Sequence, residues 1–378
     1  MKLARLLSSA IALAVSGASV TAGYGAIAAA QAVTSKAAST PACRHIAGPF
    51  RRDRNMITGA GGQRYIPYGI TVAGLGNPHW KINNLGDDAE INAAAASWCA
   101  NTVRLQIFQY GLMGPGKRGD RVNTKFLGLV EGEVSTALND GLDVAINDQT
   151  EGSGNLALGM PTTQTEAFWK VMSGLYGHNP DVIFDLFNEP RRADYPTAAG
   201  TWKFWKYGGD YHGYQFIGMN PLARYIRGLG ARNLFWIEGP NTAGTLDEIL
   251  THQILGAGPL EYGINHPGGV NAPHDPADWY PRFGYAAKQV PMTDTEWTNY
   301  ASTRSCWSNA PTTVPAFLAY LARKGMGLTA WTLVPGVLAA SSDLADPTVI
   351  NSNWACKDTG LDEGAGALIM NWFIQHNS

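Results

Sequence analysis

Charge is scarce in this 378-residue chain: Asp, Glu, Lys and Arg make up 15% of it, with 28 basic against 30 acidic residues and a formal net charge of −2. No basic block occurs, which excludes the electrostatic footprint of a nucleic-acid-binding protein. Cysteine is equally sparse. Cys43, Cys99, Cys306 and Cys356 form no C-x-x-C, and no H-E-x-x-H is present, so the usual spacings of a zinc site are missing and no metal is expected. The Asp87-Asp88 and Asp275/Asp278 pairs lack a liganding pattern and read as a helix start and loop charges. Without a G-x-S-x-G there is no anchor for a nucleophile-elbow serine. Gly114-Pro115-Gly116-Lys117-Arg118-Gly119 does match G-x-G-x-x-G, but Pro115 and two basic residues place it in a loop rather than at the opening of a helix. Beyond the N-terminus no apolar run approaches the ~20 residues of a bilayer span. No Pro/Ser/Thr-rich linker and no internal repeat divides the chain, so one domain is expected.

What the chain does hold is apolar and aromatic. Hydrophobic residues reach 45%, with 12 Trp and 15 Tyr, and 44 Gly and 21 Pro supply many loops. That is enough material for a large core and excludes disorder as the main state. Lys2 and Arg5 precede an apolar run from Leu6 to Val15, and small residues follow up to Ala32. This is the pattern of a secretory signal peptide over residues 1–32, leaving one secreted domain of residues 33–378 with no membrane attachment after cleavage. Four cysteines in an exported protein suggest two disulfides, although three connectivities are open. Topology favours Cys43–Cys99, tying the N-terminal segment to the first helix, and Cys306–Cys356, bridging the seventh and eighth strand-to-helix loops.

From about residue 65 a short apolar run, a loop rich in Gly, Pro or Asn, and an amphipathic stretch recur. Strands are expected at Ile66–Ala73, Thr102–Phe108, Leu142–Asn147, Val182–Phe187, Leu234–Glu238, Tyr262–Asn265, Met292–Thr295 and Leu328–Leu333. Helices are expected near 87–99, 123–140, 164–177, 218–229, 243–254, 312–324 and 364–376, with a weak crossover around 278–288. Eight such alternations predict an α/β fold, a (β/α)8 TIM barrel with long loops, its floor closed by a hairpin over Asn55–Tyr65.

In such a barrel the C-terminal strand ends converge, and chemistry is carried there. Those ends bear Arg104, Asn188-Glu189-Pro190, His266, Glu296-Trp297 and Trp331. Arg104 is the lone charge of an apolar strand and demands a partner. Two carboxylates from separate strands suit a glycosidic bond: one protonates the leaving oxygen while the other attacks the anomeric carbon. Neighbouring carboxyls push their titrations apart, which lets one stay protonated. Indole rings can cover the apolar faces of sugars.

The segments Val182–Pro190 (VIFDLFNEP), Ala330–Gly336 (AWTLVPG) and Gly218–Asn241 resemble glycoside hydrolase family 5, the cellulase-like family, over a match from about residue 55 to the C-terminus. The resemblance implies a retaining hydrolase of β-linked poly- or oligosaccharides that needs no cofactor; the expected partner is a carbohydrate substrate, and a monomer is expected. Residue by residue, it implies Glu189 as acid/base, Glu296 as nucleophile, Asn188 on the sugar 2-hydroxyl, Arg104 supporting the nucleophile, His266 in the polar shell and Trp331 under the sugar. Two departures stand out. The third strand ends Ile146-Asn147-Asp148-Gln149 where the family has a His, and Gly268 stands where it has a Tyr. A β-mannanase, another β-glycosidase, a transglycosylase and a non-catalytic carbohydrate-binding barrel are the alternatives. Trp202, Trp205, Tyr207, Tyr211 and Tyr214 crowd the insertion 191–216 and are expected to form a wall beside Glu189, with Trp205 and Trp297 as substrate contacts.

Overall fold

A computed structural model describes residues 43–75, 88–114, 121–150, 159–191, 198–211, 213–265, 275–302, 305–306, 310–333, 337–339 and 365–378. All of them fall in one compact unit, Pro41–Ser378. The chain first lays down a three-stranded antiparallel sheet, β1 (Arg51–Asp53), β2 (Met56–Thr58) and β3 (Arg64–Tyr65). Then come β4 (Tyr68–Leu75), β5 (Thr102–Phe108), β6 (Asp143–Gln149), β7 (Val182–Asp185), β10 (Phe235–Glu238), β11 (Leu260–Asn265), β12 (Met292–Trp297) and β15 (Leu328–Trp331). These eight pair in parallel and close into a barrel where β15 meets β4. Two hairpins interrupt the series: β8 (Gly208–Tyr211) with β9 (Tyr214–Ile217), and β13 (Tyr300–Ser302) with β14 (Ser305–Cys306). The expected (β/α)8 barrel is what the chain forms.

Helices α1 (Ala89–Ala96), α2 (Gln109–Met113), α3 (Thr124–Asn139), α4 (Thr163–Tyr176), α5 (Ala198–Tyr207), α6 (Met219–Gly228), α7 (Pro276–Trp279), α8 (Ala310–Lys324) and α9 (Ala365–Asn377) complete it. Every residue of the eight barrel strands is buried, which is why they read as near-continuous apolar runs in sequence. Successive strand side chains alternate between the lumen and the helix layer. On the lumen side Ala145, Ile183 and Trp236 pack with Phe50, just before β1, and with Ile57 and Tyr65 of the floor sheet, and fill the N-terminal end. Two residues further along the same strands stand Asn147, Asp185 and Glu238, so the polar site rests directly on an apolar plug. Asp143 and Asp181, at the start of β6 and just before β7, mark the opposite end, where His45 Nε2 lies 3.3 Å from Asp143 Oδ1.

The Cys43–Cys99 disulfide is present, joining the N-terminal segment to the residues after α1. Cys356, and with it the expected Cys306–Cys356 bridge, lies outside the described residues. The expected helix near 243–254 does not form: turns occupy residues 240–244 and 247–251 instead. Asn241, Thr242 and Ala243 all adopt positive φ (63°, 55° and 53°), which a right-handed helix cannot contain. Among the described residues no helix is long and apolar enough to cross a membrane.

Candidate active site

Arg104 organises the mouth of the barrel. It is fully buried in β5, and its guanidinium spends three nitrogens on four acceptors. Nε donates to Asp185 Oδ2 at 2.7 Å, Nη1 to Glu296 Oε2 at 2.6 Å, and Nη2 to Asn188 Oδ1 at 2.7 Å and Glu238 Oε1 at 3.0 Å. A planar fork can satisfy such a spread of acceptors, where an ammonium cannot. Gln106 follows Arg104 by two residues and so faces the same way; its amide also donates to Glu296 Oε2 and reaches Asn188 Oδ1 at 3.5 Å. Arg104, Asn188 and Glu296, designated separately from sequence, thus form one hydrogen-bonded set.

Three carboxyls around one guanidinium leave excess negative charge in a dry place. Burial pushes the Asp185 carboxyl above its ordinary range, against the pull of Arg104. Burial and then the neighbouring Asp185 push Glu238 well above its own, while Arg104, the Thr295 hydroxyl and the Glu189 main chain oppose the shift. Burial would lower the Arg104 titration, but Asp185, Glu238 and Glu296 outweigh it and hold the guanidinium charged.

Glu189 follows directly on Asn188 in the turn that leaves β7, with half-buried side chain and φ of 46°. Its main-chain N–H donates to Glu238 Oε2 at 2.6 Å, and Asn188 N–H donates to Asp148 O at 2.9 Å. The register of β12 shifts against both neighbours between Asp294 and Trp297. Such irregularities re-aim side chains at barrel rims. Here Glu296 meets Arg104 while Thr295 Oγ1 donates to Glu238 Oε1 at 2.7 Å. Gly263 permits this crowding, since a Cβ there would lie 2.7 Å from Thr295 Cγ2.

Trp331 ends β15 with 8% of its surface exposed, and the bond following it, to Thr332, is a cis peptide. Trp297 and Trp205 do not offer a face to a sugar. They are 2% and 1% exposed, so their expected role as substrate contacts gives way to packing. Trp297 follows Glu296 in the strand and turns into the core. Trp205 projects from α5, donates its indole N–H to the main-chain oxygen of Glu238 at 2.9 Å, and meets Trp202 edge-on at 5.1 Å. Trp202 in turn bonds Asp247 Oδ1 at 3.0 Å. The dense rings of the insertion anchor it to the loop after β10 rather than forming an open wall; Tyr207 and Tyr214 remain exposed. His266 and Gly268 lie outside the described residues. At the third strand's end, Asn147 stands in register with Asp185. Asp148 is buried, and Gln109, with its amide nitrogen turned toward the carboxyl, donates to it at 2.8 Å.

Glu238, Asp185 and Gln106 were not singled out from sequence. The signal existed: each is a polar residue inside a buried apolar run, the same argument that picked out Arg104. Among the described residues, the side chains whose ligand atoms cluster as a metal would require are His45, Asp143 and Asp181, at the other end of the barrel. Their mutual contacts already have an account, since Asp143 bonds His45 and Asp181 accepts the Gly48 N–H at 2.7 Å.

A parallel barrel carrying two carboxylates on separate strand ends and a buried arginine beside one of them is the architecture of a glycosyl hydrolase, and comparison with known proteins agrees. The family model for cellulase, glycosyl hydrolase family 5, matches residues 67–335. This chain belongs to that family. A manganese dependent endoglucanase, Eg5A of Phanerodontia chrysosporium, is 30% identical over 181 residues, 44% of this chain and 42% of that relative. The chain therefore spans less than half the length of that relative. The endocellulase of Pyrococcus horikoshii has a similar fold at 15% identity, with a TM-score of 0.63, covering 86% of this chain and 100% of that one. The catalytic domain of endoglucanase Cel5A from Thermobifida fusca gives 0.62 at 12% identity, covering 86% and 97%.

Proposed function

We propose that this chain is a secreted, retaining endo-β-1,4-glucanase acting by double displacement. The observation that supports it most is the hydrogen-bonded set joining Arg104, Asn188, Gln106 and Glu296 next to Glu189. Glu296 is the nucleophile: two donors fix one of its oxygens and leave the carboxylate oriented for attack on the anomeric carbon. Glu189 is the acid/base. It first protonates the leaving oxygen and then takes a proton from the water that hydrolyses the glycosyl-enzyme. Asn188, held by Arg104, presents its amide nitrogen to the 2-hydroxyl, and Trp331 lies beneath the sugar. His266 contributes to the polar shell.

None of these steps calls on a cofactor. Residues 1–32 act as the export leader, and N-terminal sequencing of the protein from culture medium tests that. Retention requires the two carboxyls about 5–5.5 Å apart. Proton NMR of the first product formed from a soluble β-1,4-glucan should show the β-anomer, and an initial α-anomer overturns the mechanism. Soluble cellulose derivatives, mannans and aryl glycosides compared side by side decide the substrate, and faster cleavage of mannan would replace the glucanase reading with a mannanase one. Transfer to added acceptor sugar measures transglycosylation.

A further inference from the structure

Glu238 belongs to neither of the two carboxylates assigned to chemistry, yet it touches both of their supports. Three donors converge on its two oxygens: the Glu189 main-chain N–H at 2.6 Å, the Thr295 hydroxyl at 2.7 Å and Arg104 Nη2 at 3.0 Å. One is the backbone of the acid/base, one is the residue before the nucleophile, and the third is the guanidinium that holds the nucleophile. Glu189 also adopts a left-handed backbone, φ 46°, which a side-chain-bearing residue keeps only when its surroundings impose it. The imposition comes from β10 on one side and its loop on the other. Glu238 holds the N–H of Glu189, and Thr242 N–H donates to the carbonyl of the next residue, Pro190, at 2.9 Å. Thr242 is itself left-handed, within the run that replaces the expected helix.

We propose that Glu238 is a positioning residue that sets the spacing of the acid/base and the nucleophile by gripping the Glu189 main chain and the Thr295 hydroxyl with a single carboxylate. This rests on the assignment of Glu189 and Glu296 above. Both oxygens are needed as acceptors, because the Glu189 N–H and Arg104 Nη2 donate to different ones, while the Thr295 hydroxyl shares its single proton between Glu238 Oε1 and the Ile264 carbonyl at 2.9 Å. In Glu238→Gln one oxygen becomes an NH2, so either Glu189 N–H or the Arg104–Thr295 pair faces a donor. The substitution is isosteric, which separates positioning from packing. A misplacement of about 1 Å at a reacting group costs on the order of 10²-fold in rate.

The test uses aryl β-cellobiosides with phenols of graded acidity, competent sites being counted from the initial burst of phenol. For Glu238→Gln, kcat/KM per competent site, which reports the step in which the phenol leaves, should fall about 10²-fold on the poorest leaving group and less than tenfold on the best. The alkaline limb of the kcat/KM pH profile should move as well. Equal losses across all phenols, or losses explained by the count of competent sites, overturn the proposal. Glu189→Ala is run in parallel. If it shows no dependence on the leaving group, the acid/base assignment itself fails; if it does and Glu238→Gln does not, only the positioning role fails. Should Glu238→Gln not fold, Glu238→Asp carries the same test, since it keeps the charge but withdraws from Glu189.

Discussion

Replacing Arg104 with lysine keeps the charge and removes the fork. In the native site three nitrogens serve four acceptors, at 2.7 Å (Asp185), 2.6 Å (Glu296), 2.7 Å (Asn188) and 3.0 Å (Glu238). A lysine ammonium has its three protons on one atom and cannot reach acceptors spread around a guanidinium, so at least two of these bonds go. Charge-assisted bonds contribute about 1.5–3 kcal/mol each. A buried pair broken on one side costs about 3–5 kcal/mol, because the orphaned carboxyls stay out of water. Arg104, Asp185 and Glu238 have fully buried side chains and Glu296 nearly so, so solvent screening does not reduce the figure much. At about 2 °C per kcal/mol for a domain of this size, Tm should drop by about 6–10 °C. Activity should fall further than stability explains, since Glu296, the proposed nucleophile, loses a donor that orients it. Scanning calorimetry followed by steady-state kinetics well below the new Tm separates the two effects. A melting point within 2 °C of wild type together with unchanged kcat would refute the idea that this arginine holds the site together.

Three further expectations follow from other parts of the molecule. Trp205→Ala removes a fully buried ring and its bond to the Glu238 main chain, so stability should fall by about 3–5 kcal/mol in denaturant unfolding. The ratio of rates on glucan and mannan should stay as in wild type; a changed ratio would restore the ring to substrate contact. Burial raises the Asp143 carboxyl to about 7, and its hydrogen bond to Asp143 raises His45. Both groups bind protons more tightly folded than unfolded, so their contribution to stability is largest at low pH and is lost as pH rises from about 4 through about 7 and above. Urea midpoints of Asp143→Asn should therefore vary less with pH across that window than those of wild type, and parallel curves would show that the pair does not titrate as described. The Cys43–Cys99 bridge closes a loop of 56 residues, and Cys99→Ser should cost about 4 kcal/mol through the freed unfolded chain. An unchanged unfolding midpoint would place the tie elsewhere.

The barrel was legible because parallel strands buried on both faces leave an unmistakable imprint: short apolar runs ended by loop residues. The exceptions are instructive. Asn241, Thr242 and Ala243 carry no glycine to announce a left-handed run, and their apolar neighbours Leu246, Ile249 and Leu250 mimic a helical face. Their conformation is imposed by bonds to Pro190 and Asn265, residues far away in sequence. Trp202 and Trp205, expected as part of a wall in the insertion 191–216, have the three-residue spacing of one helix face, the face α5 buries. At the mouth, Arg104, Asn188, Glu189 and Glu296 could be named from strand ends alone. Glu238 and Asp185 carry the same signal as Arg104, a charge in a buried apolar run, but that signal names no partner; the structure shows that the three charges meet one another.

The closure of the barrel has a consequence for how the protein is made. Thr71 Oγ1 bonds Thr329 Oγ1 across 258 residues, and Thr332 reaches back to the Thr71 carbonyl across 261. Arg104 waits across 192 residues for Glu296. At roughly 5–20 residues per second, the ribosome separates those two partners by about 10–40 s. During that interval a nascent half-barrel exposes the unpaired edges of β4 and β7, together with a cation whose full set of carboxylates has not yet been synthesised. Loop-closure entropy must be met before the last strand's contacts return anything, which makes this a slow, late-closing topology. Assembly of the catalytic mouth and sealing of the barrel are therefore a single event, and a ribosome-stalled chain ending before β12 should bind neither substrate nor transition-state analogue.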